Sequence, residues 1–171
     1  MITIQPYNPD WERAFEAERG RLQRALGPIA LRIEHHGSTA VPGLAAKPVI
    51  DIQVSVARLE PMDAYSAPLR ECGYVHVPHP DDGRCPFFHR PAAWPHTHHV
   101  HVVRANSDEE RQTLVFRDYL RAHAESAREY EAVKLDLAAR FGGGDADSRE
   151  AYAAAKSSFV ESILARCSAG L

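Results

Sequence analysis

An α+β fold, a mixed β-sheet flanked by helices and followed by a helical C-terminal third, is predicted by three observations. The β-branched run Val49–Val56 alternates apolar and polar residues. Short strand-like segments separated by turn-rich loops fill the middle of the chain. From Ser107 onward the apolar residues recur only at helical spacing. The chain has 171 residues, of which 44% are apolar and 25% charged, an ordinary globular composition for one structural domain around one core. Residues 1–105 are read as the sheet core with an N-terminal helix, and residues 106–171 as a helical part packed on it.

Asn8-Pro9-Asp10 offers a cap and an early proline, after which Trp11, Phe15, Leu22 and Leu26 recur at helical spacing until Gly27-Pro28 stops the first helix. Ile29, Leu31 and Ile33 alternate as a short strand that runs into His35-His36-Gly37-Ser38-Thr39, a Gly-Ser turn. In Val49–Val56, Ile50, Ile52, Val54 and Val56 share one face and Asp51, Gln53 and Ser55 the other, so a buried strand with a polar, site-facing side is expected. A helix over Glu60–Cys72 ends at Gly73. Tyr74–Val77, Phe87–Arg90 and Thr97–Val103 are short strands of an antiparallel part of the sheet. Ser107 and Glu110 form a capping box ahead of a helix whose stripe is Leu114, Val115, Tyr119 and Leu120. A helix over Glu125–Phe141 is broken by Gly142-Gly143-Gly144, and Asp147 or Ser148 caps the last, with Tyr152, Phe159 and Ile163 inward.

Composition narrows the function classes. Three cysteines (Cys72, Cys85, Cys167) at wide spacing give neither a disulfide framework nor a zinc-finger pattern, which points to a reducing cytoplasm. Met1–Trp11 has no cationic stretch followed by an apolar one, and no apolar run approaches bilayer-spanning length, so membrane partners are not expected. A net charge of −3 excludes bulk nucleic-acid packaging but not a nucleotide in a local basic cleft. Of the 20 basic residues only Lys47, Lys134 and Lys156 are lysines, so each invites a question about its purpose. Seven of the ten histidines fall between His76 and His101.

The strongest constellation is Glu34-His35-His36-Gly37-Ser38-Thr39-Ala40-Val41-Pro42-Gly43-Leu44-Ala45-Ala46-Lys47-Pro48-Val49-Ile50-Asp51. A strand, a Gly-Ser turn and a second strand with an inward carboxylate are what phosphoryl transfer needs: amides and a hydroxyl for a triphosphate, and an acid for a divalent cation. Here the chain resembles the GrpB-like branch of the nucleotidyltransferase superfamily. The branch's pattern is matched at His35, Gly37, Ser38, Thr39, Val41 to Leu44, Ala46, Lys47, Ile50 and Asp51. The resemblance extends to Thr97–Val102, Phe116–Leu120 and Tyr152–Phe159, nearly the whole chain. It implies a minimal nucleotidyltransferase fold whose C-terminal helices close over the nucleotide, with a divalent metal (Mg or Mn) and a nucleoside triphosphate as substrate or ligand. The acceptor it implies is a small molecule or another protein.

One position departs from the superfamily. Its general pattern has carboxylates on alternate residues of the strand, bridging two metal ions. Here the second position is Gln53, an Asp-x-Gln that looks like a feature of the GrpB branch, and Thr97–Val103 offers His rather than a third acid.

Together these readings nominate Asp51 and Gln53 as catalytic, with Gln53 orienting metal-bound water or the acceptor. Gly37, Ser38, Thr39, Lys47, Arg117, Lys134, Tyr152 and Lys156 are nominated for nucleotide and phosphates, and His35 for ligand contact or for anchoring the turn. Strand alternation sends His99 and His101 to one face and His98 to the other. With Asp51 the first two compose a possible metal site favouring Zn, Fe or Mn; the alternative is that they bond the sheet or a phosphate. His76, His79, His89, His96 and His98 are read as loop or surface residues. Tyr130-x-x-x-Lys134-x-x-Leu137 and Tyr152-x-x-x-Lys156-x-x-Phe159 put each lysine on an apolar stripe, where it either snorkels or meets an anion. Arg117 either pairs with Asp118 or meets phosphate, and Lys47 is either a phosphate ligand or a loop residue. Three functions fit: a nucleotidyltransferase, a catalytically silent nucleotide-binding module, and an enzyme using a His/Asp transition-metal site on the same fold.

Overall fold

The computed structural model of the chain describes residues 3–141 and 146–169. It is a mixed α+β architecture in which a five-stranded sheet is covered by helices on both faces. The strands are β1 (Arg32–His36), β2 (Ile50–Val56), β3 (Val75–Val77), β4 (Phe87–Arg90) and β5 (His98–Arg104), in the spatial order β1-β2-β5-β4-β3. Only β2 and β5 pair in parallel, so the two longest strands lie together at the centre. The helices are α1 (Asp10–Leu26), α2 (Asp63–Glu71), α3 (Asp108–Ala122), α4 (Ala124–Arg140) and α5 (Ala146–Ala169). None of the described helices is long and apolar enough to cross a membrane.

Register divides the sheet into two chemically different faces. Because residues paired across a ladder point the same way, Ile33 and His35 of β1 share a face with Ile52, Val54, Val100, Val102 and Phe88. This face meets Trp11, Phe15, Leu22 and Leu26 of α1 and Tyr65 and Leu69 of α2 in the main core. Each fully buried leucine there contributes about 1.5–3 kcal/mol. The opposite face carries rows of polar side chains across the strands: His36–Asp51–His99–His89, then Glu34–Gln53–His101–Phe87, then Arg32–Ser55–Val103. A polar face of this kind needs partners, and α3, α4 and α5 supply part of the cover through a separate cluster around Val41, Leu44, Leu120 and Tyr130.

Several local expectations are corrected. The first strand begins at Arg32: Gly27–Ile29 is a single 3-10 turn, and Leu31, whose N–H bonds the Ser55 carbonyl at the end of the ladder, has an exposed side chain. Ser107 accepts from the Glu110 amide at 3.3 Å, but the Glu110 carboxylate does not complete a capping box. It is drawn instead to Arg32, to the Ser55 hydroxyl (2.5 Å) and to the Asn106 amide (2.6 Å). In α3 Tyr119 and Leu120 do face inward, joined by Phe116, while Val115 is exposed. Asp147 and Ser148 lie within the first turn of α5 rather than before it. Gly142–Gly144 lie outside the described residues. Three of the supposed surface histidines are strand residues with partners: His76 lies 3.1 Å from the Asp82 carboxylate and packs on Phe88, buried His89 bonds the Pro91 carbonyl at 2.9 Å, and His98 bonds Arg90 at 3.1 Å.

Candidate active site

The Gly-Ser turn leaves β1 opposite the start of β2, and one residue makes the approach possible. Gly37 has φ 70° and ψ −171°, a conformation restricted to glycine, and its Cα faces Asp51 with no room for a side chain: a Cβ would lie 2.9 Å from Asp51 Cβ. The 3-10 turn Ser38–Ala40 follows, and the connection to β2 is tied down from α4. Glu131 accepts from the Ala45 amide at 2.8 Å, and the Lys134 ammonium donates to the Ala45 carbonyl.

These elements enclose a pocket of about 340 Å³ lined by Ser38, Thr39, Lys47, Asp51, Phe87, His99, His101, Lys134, Tyr152 and Lys156, among others. All three lysines of the chain are in its wall. Lys134 is buried and lies 4.9 Å from the Tyr130 ring centre. Lys47 and Lys156 approach the ring of Tyr152 at 4.9 and 5.0 Å. Burial pulls Lys134 down to about 7 and also lowers Lys156, each made worse or better by its neighbours: Lys156 opposes the charge on Lys134, and Asp51 favours both. The pocket wall thus gathers three lysines around Asp51, and an anion there would favour their charged forms.

Asp51 is flanked by His36 on β1 and His99 on β5. Burial works to raise its pKa, but the hydrogen bond from His99 Nδ1 (3.2 Å) and the surrounding imidazoles hold it well below the ordinary carboxylate range. On the other side of the His99 ring, His96 Nδ1 lies 3.2 Å from His99 Nε2. His96, expected as a loop residue, stacks on His89 with ring centres 3.8 Å apart. Burial pulls His101 down to about 3, and its Nδ1 lies 3.8 Å from Cys85 Sγ.

Not every nominated residue reaches the pocket. Gln53 is 1% exposed, and its Nε2 donates to the Glu110 carbonyl of α3 at 3.4 Å, leaving Oε1 buried without a hydrogen bond. Gln53 itself is covered by α3, so it stays out of the pocket that His101 and Phe87 of the same row reach. Arg117 is held by Glu34 (2.8 Å), the His35 carbonyl (2.9 Å) and Asp118 (2.8 Å), tying α3 to β1 beside a different hollow. His35 points to the apolar face, stacked on Phe15 at 4.7 Å. Its Nε2–H donates to Thr39, whose hydroxyl donates onward to the Val49 carbonyl. It anchors the turn from behind. The Asp51–His99–His101 metal set is not assembled either: among the described residues no three His, Cys, Asp or Glu side chains are grouped to hold a metal ion. The donors do suit a hard cation that takes most of its ligands from phosphate oxygens and water, for which one carboxylate is enough.

Three participants escaped the sequence reading. His36, not His35, shares the Asp51 face, with its Nε2 buried and unbonded and its ring 5.0 Å from His101. Strand parity counted back from the glycine was the available signal. Tyr130 of α4 hydrogen-bonds Ser38, burial pushing its hydroxyl up to about 12, and Glu131 holds Ala45. The helical pattern that marks Tyr130 gives no sign of these roles, since both depend on how α4 docks.

A family model described as GrpB protein matches residues 1–166. The chain belongs to the GrpB family. It is 38% identical over 170 residues to a UPF0157 protein of Halalkalibacterium halodurans, covering 98% of this chain and 83% of that relative. It spans less than half of some longer relatives: the match to a UPF0157 protein of Bacillus subtilis, 36% identical over 141 residues, covers 40% of that protein. The crystal structure of GrpB from Enterococcus faecalis superposes with a TM-score of 0.83 at 31% identity, covering 96% of both chains. Cid1 poly(U) polymerase, in a structure described as MgGTP bound, matches with a TM-score of 0.52 at 16% identity, over 80% of this chain and 45% of that one. GrpB chains of this kind thus share the nucleotidyltransferase fold.

Proposed function

We propose that this GrpB protein binds a nucleoside triphosphate with a divalent cation in the Asp51 pocket and transfers a nucleotidyl group to an acceptor. The observation that carries the reading is the convergence of every lysine in an arginine-dominated chain on one pocket that also holds an ionised aspartate and a Gly-Ser turn. An ammonium is a compact point charge suited to triphosphate oxygens. The arrangement also fits the nucleotide and Mg named for Cid1, whose fold it shares. Lys156 and Lys47, each about 5 Å from the Tyr152 ring centre, hold phosphates, Ser38 and the turn receive them from β1, and Lys134 braces the connection through Ala45. Asp51 would hold the cation, which when bound neutralises phosphate charge as the bond to the leaving group breaks. His99 orients the Asp51 carboxylate.

Gln53 favours a second reading, in which the same pocket binds the nucleotide without turnover. With the second acid position occupied by an amide that is roofed by α3, a two-metal arrangement has no second carboxylate. Two measurements test the readings, and the second separates them. A triphosphate with Mg²⁺ or Mn²⁺ is expected to raise the thermal midpoint, a ligand at 100 times its Kd adding about 2.7 kcal/mol. Lys156→Ala is expected to remove most of that effect while the unliganded protein stays folded. Release of pyrophosphate in the presence of candidate acceptors supports the transferase, and binding without release supports the module. No shift with any common triphosphate at millimolar concentration refutes both.

A further inference from the structure

Beside the pocket lies a second hollow of about 200 Å³, whose wall includes Gln5, Lys47, Pro48, Val49, Trp94 and His96. It shares Lys47 and Val49 with the Asp51 pocket, so a ligand in one abuts a ligand in the other. We propose that this hollow is the acceptor's site and that it takes a planar heteroaromatic ring of nucleobase size. The inference rests on the nucleotide reading of the neighbouring pocket.

Its walls are flat and their orientation is fixed. Trp94 and His96 meet edge to face, ring centres 5.1 Å apart and planes at 67°, forming an aromatic corner. His96 cannot swing freely, because it is stacked on His89 at 3.8 Å and bonded to His99 at 3.2 Å. A pre-oriented aromatic face of this kind binds a ring with little loss of conformational freedom. Gln5, in the wall of the same hollow, is placed by a reciprocal pair of backbone hydrogen bonds with Ala46 (2.8 and 2.9 Å), and its side-chain amide suits the polar edge of a heterocycle. Apolar faces with an amide at the rim suit a heteroaromatic ring better than a sugar, which needs polar contacts all round, or a bare aliphatic chain.

The position suits an attacking group. Lys134 and Lys156 come to the pocket from α4 and α5, whereas Trp94 and His96 come from the connection between β4 and β5. In-line displacement at phosphorus needs the entering and leaving oxygens on opposite sides. With Lys156 holding phosphate from α5, the acceptor enters from the β4–β5 side.

The test uses the intact chain and the probes adenosine, uridine and pyridoxine. Trp11 and Trp94 are the two tryptophans, and Trp11 is buried in the main core, so Trp11→Phe leaves Trp94 as the fluorophore. At least one probe is expected to quench Trp94 saturably at millimolar concentration or below. By calorimetry Trp94→Ala is expected to weaken that binding by about tenfold or more, while Trp94→Phe keeps most of it. Lys156→Ala is expected to leave probe binding intact while reducing triphosphate binding. Absence of quenching by all three probes overturns the inference, even if triphosphates bind. So does competitive displacement of the probe by a triphosphate, which assigns the hollow to the triphosphate's own base. Probe binding to a protein that binds no triphosphate keeps the ring site and refutes the reading of the neighbouring pocket instead.

Discussion

Replacing Gly37 by alanine tests how the Gly-Ser turn and Asp51 depend on each other. Two costs add. A residue other than glycine at φ 70°, ψ −171° carries about 1–3 kcal/mol of backbone strain. The new methyl would also stand 2.9 Å from Asp51 Cβ and 3.0 Å from Asp51 Cγ, an overlap relieved only by moving the turn or the carboxylate, for about 1–3 kcal/mol more. The total, about 2–6 kcal/mol, is a large part of a domain's net stability. Gly43→Ala is the control. Gly43 also has positive φ (81°), but nothing lies within 4 Å of its would-be Cβ, so only a strain of about 1–2 kcal/mol is expected. Urea unfolding of Gly37→Ala, Asp51→Gly and the double variant closes a cycle that cancels the strain. The cost of Gly37→Ala should fall by about 1–3 kcal/mol in the Asp51→Gly background. Equal costs in both backgrounds would refute the argument that Gly37 is required by its contact with Asp51.

Other expectations follow from the same geometry. Gln53→Glu should destabilise the fold by about 3 kcal/mol or more, because it buries a carboxylate against the Glu110 carbonyl; a variant of unchanged urea midpoint and increased turnover would show that the position opens to the site. Burial lowers His35 to about 4 in the folded state against about 6.5 unfolded, so the unfolded chain binds the extra proton between these values. Stability should therefore be complete above pH 6.5 and fall toward pH 4, by up to about 3 kcal/mol from this residue, and His35→Gln should flatten that part of the pH profile. Lys134, lowered to about 7, should gain charge when a triphosphate enters. Calorimetry near pH 8 in buffers of different ionisation enthalpy should report proton uptake on binding, which Lys134→Met should remove.

What the sequence disclosed and what it hid divide along a physical line. Periodicity found α1, β2 and β5, since each buries an apolar stripe or face, and the Gly-Ser turn was marked by residue types that only a tight approach requires. Parity on β5 also put His99 and His101 together on the Asp51 side. The same rule was not carried to β1, where it distinguishes His36, beside Asp51, from His35, which packs on Phe15. Gln53 shows the limit of parity: it shares the Asp51 face, yet α3 covers it, and no count along β2 can say where a helix from residue 108 onward will lie.

The lysines show how helix docking turns one spacing into two roles. Tyr130/Lys134 and Tyr152/Lys156 repeat the same i, i+4 pattern, and both pairs place an ammonium about 5 Å from the tyrosine ring. Lys134 is buried because α4 lies directly over the Ala45 connection, and its first partner is a backbone carbonyl, flanked by Glu131 on the amide of the same residue. Lys156 sits on α5, keeps part of its side chain accessible, and Asp51 favours its ammonium. An anion in the pocket thus meets Lys156 as a ligand and Lys134 as a brace whose charge it restores. On this argument Lys156→Ala removes a phosphate contact, whereas Lys134→Ala loosens the path from Ala45 to Lys47 and weakens binding through the loop.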